Sequence, residues 1–229
     1  MKFGVLALDY DGTIARDGVL DSDVRAAIAE VRAKGIVVVI VTGRILSELN
    51  RILGDLNFVD GIVAENGAVI AFPSGHSRVL GSAPPFGFLQ ELQRRSIPFS
   101  VGQCVIELDA GSALQVLDVI RNLELPLVLL FNRGRLMVLP QAISKSTGLR
   151  EALTTLRLSA HNAIAIGDAE NDHDLLAICE IGVAVSWGSP ALQRVADHLI
   201  SGDGPEAVAK YIRRAADQIR LEPERIGRH

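Results

Sequence analysis

Two aspartates one residue apart, Asp9 and Asp11, follow an apolar run over residues 3–8. A run of this kind predicts a strand buried on both faces of a parallel sheet, so the carboxylates are expected at its carboxyl end. Side chains alternate along a strand, and positions 9 and 11 therefore share a face. Because two neighbouring carboxylates repel each other unless a cation or a proton lies between them, the pair predicts a metal site or acid–base chemistry.

A second group of polar side chains follows a later apolar run. Residues 162–166 have the pattern of another buried strand, and Asp168, Asn171 and Asp172 come soon after it. Parallel strands meet ligands at their carboxyl ends, so these side chains are expected at the same sheet edge as Asp9. Asp168 and Asp172 are close enough in sequence to share one site, and their hard oxygen ligands suit Mg²⁺.

The first part of the chain alternates strand and helix patterns. A helical pattern joins the first apolar run to a second one over 36–41, and this order is typical of a right-handed βαβ unit. The second run ends in Thr42, Gly43 and Arg44, before a predicted helix over 45–53. A hydroxyl and backbone amides at a helix start favour phosphate binding, although Thr42 alone could simply cap that helix.

These stretches resemble the motifs of the haloacid dehalogenase superfamily of phosphohydrolases. Its first motif, Asp-x-Asp-Gly-Thr, is matched by residues 9–13, and the later motifs are matched by Thr42, Lys145 and the pair Asp168 and Asp172. The Glu-Asn-Gly-Ala sequence over 65–68 is similar to the Cof-type branch, with its phosphoglycolate and sugar-phosphate phosphatases. Lys145 by itself would be interpreted as a solvated lysine, but its place in the motif order indicates a functional residue.

The resemblance implies a catalytic role for three residues. Asp9 is the nucleophile that takes the phosphoryl group, and Asp11 is the general acid and base. Lys145 steadies both the nucleophile and the transferring group. The residues expected to bind the phosphoryl group or the substrate are Thr42, Gly43, Arg44, Lys145 and Asn171.

The same resemblance implies a Mg²⁺ site at this edge of the sheet. The metal is expected on Asp9, Asp168 and the Tyr10 carbonyl. Asp11 is expected to contribute through its backbone or the outer shell, and Asp172 through the outer shell or by pairing with the motif lysine.

The order of predicted elements indicates an α/β fold with a doubly wound, mainly parallel, Rossmann-like core. The Ser-Ala-Pro-Pro sequence over 82–85 is a candidate linker, because paired prolines cannot continue a helix. We therefore predict a catalytic core from residues 1–81 and 141–229 and a small α/β domain from 82–140. The elements predicted in that domain are helices over 86–95 and 112–123, strands over 99–108, 127–131 and 136–139, and a turn at Asn132, Arg133 and Gly134.

The resemblance implies that the inserted domain is a mobile cap, which closes over the site and selects the substrate. Its strand-end loops, with Gln103 and Arg133 as examples, are expected to contact the substrate. The chain has Ser-Trp-Gly over 186–188 where many relatives have a loop of the Met-Gly-Asn type, so the specificity of relatives does not transfer directly. The polar tail over 220–229 is expected to pack poorly.

Composition restricts the class of protein further. The chain has 229 residues, of which 48% are hydrophobic and 22% charged, as in ordinary globular proteins. Its net charge of −4 argues against a nucleic-acid partner, because such partners usually require a basic face. We find neither a secretory signal nor a membrane-spanning stretch, and expect a cytoplasmic protein. Cys104 and Cys179 are interpreted as buried free thiols, and the oligomeric state stays open.

The function predicted from these observations is a Mg²⁺-dependent phosphatase. Its substrate is expected to be a small phosphorylated metabolite, such as a sugar phosphate or phosphoglycolate, and its intermediate an aspartyl-phosphate. Two alternatives stay open. A phosphomutase or phosphotransferase would pass the same phosphoryl group to a second hydroxyl, and a regulatory module would bind a phosphorylated ligand without turnover.

Overall fold

The structure is a computed structural model that describes residues 4–132 and 134–220, with side chains to residue 217. Phe3, Arg133 and the tail over 221–229, for which the sequence predicts a strand start, a turn and loose packing, lie outside the described residues. Among the described residues, none of the helices has both the length and the hydropathy that a membrane span requires. In chain order, the strands are β1 (Val5–Asp9), β2 (Ala15–Arg16), β3 (Val19–Leu20), β4 (Val37–Val41), β5 (Gly61–Ala64), β6 (Val69–Ala71), β7 (Ser77–Val79), β8 (Ser100–Val101), β9 (Ile106–Asp109), β10 (Leu127–Asn132), β11 (Arg135–Pro140), β12 (Ala163–Gly167), β13 (Ile181–Val185) and β14 (His198–Ile200). The α-helices are α1 (Ser22–Ala33), α2 (Leu46–Leu53), α3 (Phe86–Arg94), α4 (Ala113–Asn122), α5 (Lys145–Thr155), α6 (His173–Ile178), α7 (Pro190–Gln193) and α8 (Pro205–Arg220).

The main sheet has its strands in the order β14-β13-β12-β1-β4-β5-β6-β7. The strands from β14 to β5 run parallel, and β6 and β7 add an antiparallel hairpin at one edge. The predicted α/β class and mainly parallel core are therefore confirmed. Because β1 lies between β12 and β4, the residues that follow these three strands meet at one edge of the sheet.

Helices cover both faces of this sheet, as its apolar central strand requires. On one face, Leu8 of β1 belongs to a buried cluster with Ile28 of α1 and Ile212 of α8. On the other face, Ala7 packs in a second cluster with Leu149 of α5. Burial of one aliphatic side chain of leucine size stabilises a fold by about 1.5–3 kcal/mol. The two layers thus hold β1, and the carboxylates at its end, in place.

A second, antiparallel sheet has the strand order β10-β11-β9-β8 and carries α3 and α4 on one face. Side chains alternate along its strands. Ile106, Leu108, Leu136 and Val138 pack toward the two helices. The intervening side chains of Glu107, Arg135 and Met137 line a cavity between this sheet and the main one.

The single strand predicted over 99–108 was wrong. The structure has two short strands, β8 and β9, paired as a hairpin. Between them, the backbone N–H groups of Gln103, Cys104 and Val105 donate to the carboxylate of Glu65, at 3.0, 2.8 and 3.2 Å. A buried carboxylate from a loop of the main sheet therefore interrupts the strand. The other elements predicted in this segment end within one residue of those observed.

Candidate active site

Lys145 lies at the carboxyl edge of the main sheet and is buried among carboxylates. Its Nζ atom is 2.6 Å from Oδ1 of Asp9 and 2.5 Å from Oδ1 of Asp172. The residue begins α5, a helix that Ser144 caps by accepting the N–H of Thr147. Although burial disfavours the charged form, the attraction of Asp172 and Asp9 raises the pKa of Lys145 above its ordinary value. Lys145 is therefore a fixed cation in this site.

Asp9 ends β1 and is also buried. Desolvation raises the pKa of Asp9 well above its ordinary value, repulsion from Asp172 and Asp168 adds to this, and Lys145 opposes it. When all groups are ionised, three carboxylates face one ammonium, which leaves a surplus of two negative charges. An uncompensated surplus is costly in a buried site, so this edge of the sheet favours an additional cation.

Hydrogen bonds fix the geometry of this carboxylate cluster. The hydroxyl of Thr13 lies 3.0 Å from Oδ2 of Asp9 and 3.4 Å from Oδ1 of Asp168, and it can donate to either. The backbone N–H groups of Asp168 and Ala169 both donate to Oδ2 of Asp172 at 3.0 Å. As a result, carboxylate oxygens of Asp9, Asp168 and Asp172 lie within 4.8 Å of one another.

The side chain of Asp11 lies outside this cluster. Its two carboxylate oxygens accept from Nε and Nη2 of Arg44, at 2.7 and 2.6 Å. Asp9 and Asp11 nevertheless line the same cavity, while Tyr10 between them is buried in the core, as strand alternation predicts. The structure thus brings Asp9, Asp168 and Asp172 together and pairs Asp11 with Arg44 instead.

The cavity beside Asp9 lies between the two sheets and has a volume of about 310 Å³. Of the residues predicted to bind the phosphoryl group, Thr42, Gly43 and Arg44 line this cavity, whereas Lys145 and Asn171 are buried behind its wall. Thr42 does not cap α2, because that helix begins at Leu46 with Ile45 in the N-cap position. The Thr42 hydroxyl instead accepts the backbone N–H of Arg44 at 3.1 Å, which shapes the loop at the cavity wall.

Two further predicted contacts involve the Tyr10 carbonyl and the Asn171 side chain. The carbonyl oxygen of Tyr10 accepts the N–H groups of residues 13–15 at 3.4, 3.0 and 2.9 Å, so it closes the turn after β1 rather than facing a metal. Asn171 donates to Oδ1 of Asn66 at 3.3 Å, and its own buried Oδ1 atom has no hydrogen-bond partner among the described residues. The Nδ2 atom of Asn171 has a second N–H and lies near the loop after β4, since a Cβ atom at Gly43 would be 3.9 Å from it. A contact between Asn171 and the phosphoryl group therefore stays a prediction.

Glu65 is a structural residue that the sequence interpretation missed. It is fully buried, and its carboxylate ties the loop after β5 to residues 103–105 of the second sheet. A Cβ atom at Gly102 would lie 2.5 Å from this carboxylate, so the approach requires glycine. The sequence feature that could have indicated a special role here is the turn sequence Glu-Asn-Gly. In this turn Glu65 and Asn66 both adopt positive φ angles, 52° and 54°.

The loop over 186–188 packs against the backbone of the two loops that carry the site. Nε1 of Trp187 donates to the carbonyl of Gly12 at 2.7 Å. A Cβ atom at Gly188 would lie 2.4 Å from the carbonyl oxygen of Asp168, so the backbone approaches closely there. The Ser-Trp-Gly sequence therefore packs against the loops that carry Asp9 and Asp168, and none of its residues lines the cavity.

Comparison with known proteins identifies the family and the fold of this chain. The chain matches the family model described as haloacid dehalogenase-like hydrolase over residues 6–81 and 91–212. It is 28% identical over 219 residues to a phosphoglycolate phosphatase of Methanothermobacter thermautotrophicus, an alignment that covers 91% of this chain and 97% of that protein. The fold is similar to that of a haloacid dehalogenase-like hydrolase from Bacteroides thetaiotaomicron, with a TM-score of 0.81, 19% identity and coverage of 93% and 100%. It is also similar to a haloacid dehalogenase subclass IIB sugar phosphatase, with a TM-score of 0.75, 18% identity and coverage of 92% and 98%.

The chain belongs to the haloacid dehalogenase-like hydrolase family, because the family model matches most of its length. Within that family it is a phosphatase of the Cof type, and the identification made from the sequence motifs is confirmed.

Proposed function

We propose that this phosphatase hydrolyses a small phosphorylated metabolite, of the sugar-phosphate or phosphoglycolate type, through an aspartyl-phosphate on Asp9 with Mg²⁺ as cofactor. The placement of Asp9 is the observation that carries this proposal. Its carboxylate borders the cavity, while the ammonium of Lys145 holds one of its oxygens at 2.6 Å. A nucleophile needs both access to the substrate and a fixed orientation, and Asp9 has both.

The carboxylate cluster suits a divalent cation. Its donors are all carboxylate oxygens, within 4.8 Å of one another, and such hard ligands favour Mg²⁺ over softer metals. The surplus of two negative charges also equals the charge of Mg²⁺. Asp9 and Asp168 would hold the ion, whereas Asp172 already accepts from Lys145 and from two backbone N–H groups. When bound, the ion would weaken the repulsion between Asp9 and an approaching phosphate dianion.

The first chemical step follows from the residues around the cavity. The hydroxyl of Thr42 and the backbone N–H of Gly43 position the phosphoryl oxygens. The N–H groups of Thr42 and Arg44 already donate within the protein. A carboxylate oxygen of Asp9 attacks phosphorus, and the bond from phosphorus to the ester oxygen breaks. Asp11 in its protonated form donates its proton to the departing oxygen, which leaves as the alcohol.

The second step returns the enzyme to its starting state. Water attacks the phosphorus of the aspartyl-phosphate, Asp11 takes the proton of that water, and inorganic phosphate leaves with Asp9 regenerated as a carboxylate. Because Arg44 occupies both oxygens of Asp11 in this structure, Asp11 has to leave that pair before it donates a proton. Arg44 is then available to an anion in the cavity.

We assign residues 82–140 to a cap domain and residues 1–81 and 141–229 to the catalytic core. In support, the second sheet supplies the cavity wall opposite Asp9, where closure would exclude water. The Glu65 anchor lies beside both connections between the domains, because a Cβ atom at Gly81 would be 3.1 Å from Pro140 and 3.3 Å from Sγ of Cys104. Closure of the cap domain would therefore rotate it about these two connections.

A phosphate-release assay over a panel of sugar phosphates, phosphoglycolate and related esters tests the proposal. We expect hydrolysis that depends on Mg²⁺ and is lost in Asp9→Asn, while the exposed control Asp55→Asn keeps it. Phosphorylated product on an added alcohol, at the expense of free phosphate, would instead indicate a phosphotransferase. Binding of esters without any turnover would indicate a regulatory module.

A further inference from the structure

The cavity wall opposite Asp9 carries a charged pair that the proposed chemistry does not use. Nε of Arg135 on β11 contacts Oε1 of Glu107 on β9. The two strands are neighbours in the second sheet, and both side chains lie on the face turned away from α3 and α4. The pair therefore belongs to the surface that a substrate meets.

The two partners differ strongly in exposure. The side chain of Arg135 is 60% exposed, whereas that of Glu107 is 8% exposed. An entering ligand consequently meets the guanidinium, with the carboxylate beneath it. Desolvation raises the pKa of Glu107 and the charge of Arg135 opposes this, so the buried carboxylate depends on its partner. Glu107 thereby positions the guanidinium.

A guanidinium held in this way is a receptor for an anion. Arginine has five N–H donors in a planar fork that matches the geometry of a carboxylate, and the contact with Glu107 is made through Nε. Glu107 neutralises the charge of Arg135, so the pair has no net charge. It therefore suits a ligand group with one negative charge better than a second phosphate group with two.

The distance along β11 limits the size of the ligand. Met137 approaches the phosphoryl end of the cavity, since a Cβ atom at Gly43 would lie 3.2 Å from Sδ of Met137. Arg135 lies two residues before Met137 on the same strand, and this spacing corresponds to about 6–7 Å. A short ligand can therefore span the two ends.

We propose that Arg135, positioned by Glu107, binds a carboxylate on the phosphate ester whose phosphoryl group reacts at Asp9. The substrate class is then short phosphorylated hydroxy acids rather than neutral sugar phosphates. Asn132, directly opposite Arg135 in the β10–β11 pair, supplies a second polar group at this end. The assignment rests on the proposed phosphatase function, because it takes Asp9 as the phosphoryl end of the cavity.

Two matched esters test this assignment. Phosphoglycolate carries the carboxylate, and 2-hydroxyethyl phosphate has a hydroxymethyl group in its place. We expect wild type to prefer phosphoglycolate in kcat/KM, and Arg135→Gln to reduce that preference by ~10–100-fold, the usual effect of losing hydrogen bonds to a charged group. Arg135→Lys should restore part of the preference, because it keeps the charge without the fork. The control Arg121→Gln, on the exposed face of α4, should leave the preference unchanged.

Several results would overturn the assignment. Arg135→Gln could lower kcat/KM for both esters by the same factor, or for neither of them. Wild type could also prefer glucose 6-phosphate to phosphoglycolate in kcat/KM. A titration of both esters into the Asp9→Asn protein, with and without Arg135→Gln, gives a readout that needs no turnover. If no ester is hydrolysed but binding preference still depends on Arg135, the proposed function fails, and Arg135 remains assigned as the carboxylate-binding residue of the cavity. If esters are hydrolysed without that dependence, the assignment alone fails.

Discussion

Arg44 donates two hydrogen bonds to Asp11, from Nε at 2.7 Å and from Nη2 at 2.6 Å. Such a bidentate pair is among the stronger charge-assisted contacts. The guanidinium carbon of Arg44 also lies 5.5 Å from the ring centroid of Tyr10, the residue between the two aspartates. In this arrangement Asp11 presents no proton to a leaving group. A ligand anion that competes for Arg44 would release Asp11, which would couple substrate entry to the acid–base step.

Asp11→Asn should separate the two chemical steps. With an alkyl phosphate, turnover should fall by ~10²–10⁴-fold, the usual contribution of a general acid or base. With p-nitrophenyl phosphate, whose leaving group needs no proton, the variant should still release one burst of p-nitrophenol and then stall, because no base activates water. Stopped-flow absorbance measures this. Steady turnover of p-nitrophenyl phosphate at the wild-type rate would contradict the role of Asp11.

Removal of the metal should weaken both folding and activity. We expect Mg²⁺ to raise the Tm of the wild-type protein, since a ligand at 100 times its Kd stabilises the folded state by about 2.7 kcal/mol. Asp168→Ala should lose this shift because it removes one ligand of the cluster. Thermal melts and phosphate release, each with EDTA or Mg²⁺, provide the measurement. Full activity of wild type in EDTA would refute the proposed cofactor.

Glu65→Gln should loosen the attachment of the second sheet. Three backbone N–H groups donate to this buried carboxylate, and hydrogen bonds to charged groups contribute about 1.5–3 kcal/mol each. We expect a decrease of at least that size in the free energy of unfolding, with faster hydrogen exchange at residues 103–105. Glu124→Gln is a matched control, because Glu124 is exposed and has a similar positive φ of 50°. Equal stability of the two variants would show that the anchor contributes nothing.

Glu107→Gln should change how stability depends on pH. Desolvation raises the pKa of Glu107 above its ordinary value of 4.5, although Arg135 opposes the shift. The folded protein thus binds this proton more tightly than the unfolded chain does. The stabilisation that this tighter proton binding gives is fully present below a pH of about 4.5. It is lost as the pH rises through the pKa that Glu107 has in the folded protein. The variant lacks this loss, so its stability relative to wild type should increase as the pH rises above about 4.5 in urea denaturation. A decrease over that range would be incompatible with the raised pKa.

The main sheet and its reactive edge could be predicted because their signals are local. The apolar runs before Asp9, Thr42 and Asp168 each define a buried strand, and parallel strands present their carboxyl ends at one edge. Lys145 required the family motif, since nothing in its neighbourhood indicates burial. Its place between Asp9 and Asp172 follows from the start of α5 at this same edge.

The remaining contacts depend on packing that no local pattern contains. Asp9 and Asp11 look equivalent in sequence, but Arg44, 33 residues after Asp11, draws Asp11 out of the cluster. Glu65 reaches residues 103–105 of the second sheet and breaks a strand that hydrophobicity alone favours. Arg135 and Glu107 become a pair only once β9 and β11 are aligned.

The central claim is that Asp9 carries the phosphoryl group. Wild type is quenched with acid during turnover of p-nitrophenyl phosphate and then treated with borohydride. Borohydride reduces an aspartyl-phosphate to homoserine, which peptide mass spectrometry can locate. We expect homoserine at position 9 only when ester and Mg²⁺ are both present, at a higher level in Asp11→Asn, and never in Asp9→Asn. Homoserine at another aspartate, or no homoserine at position 9 in Asp11→Asn after its burst of p-nitrophenol, would contradict the account.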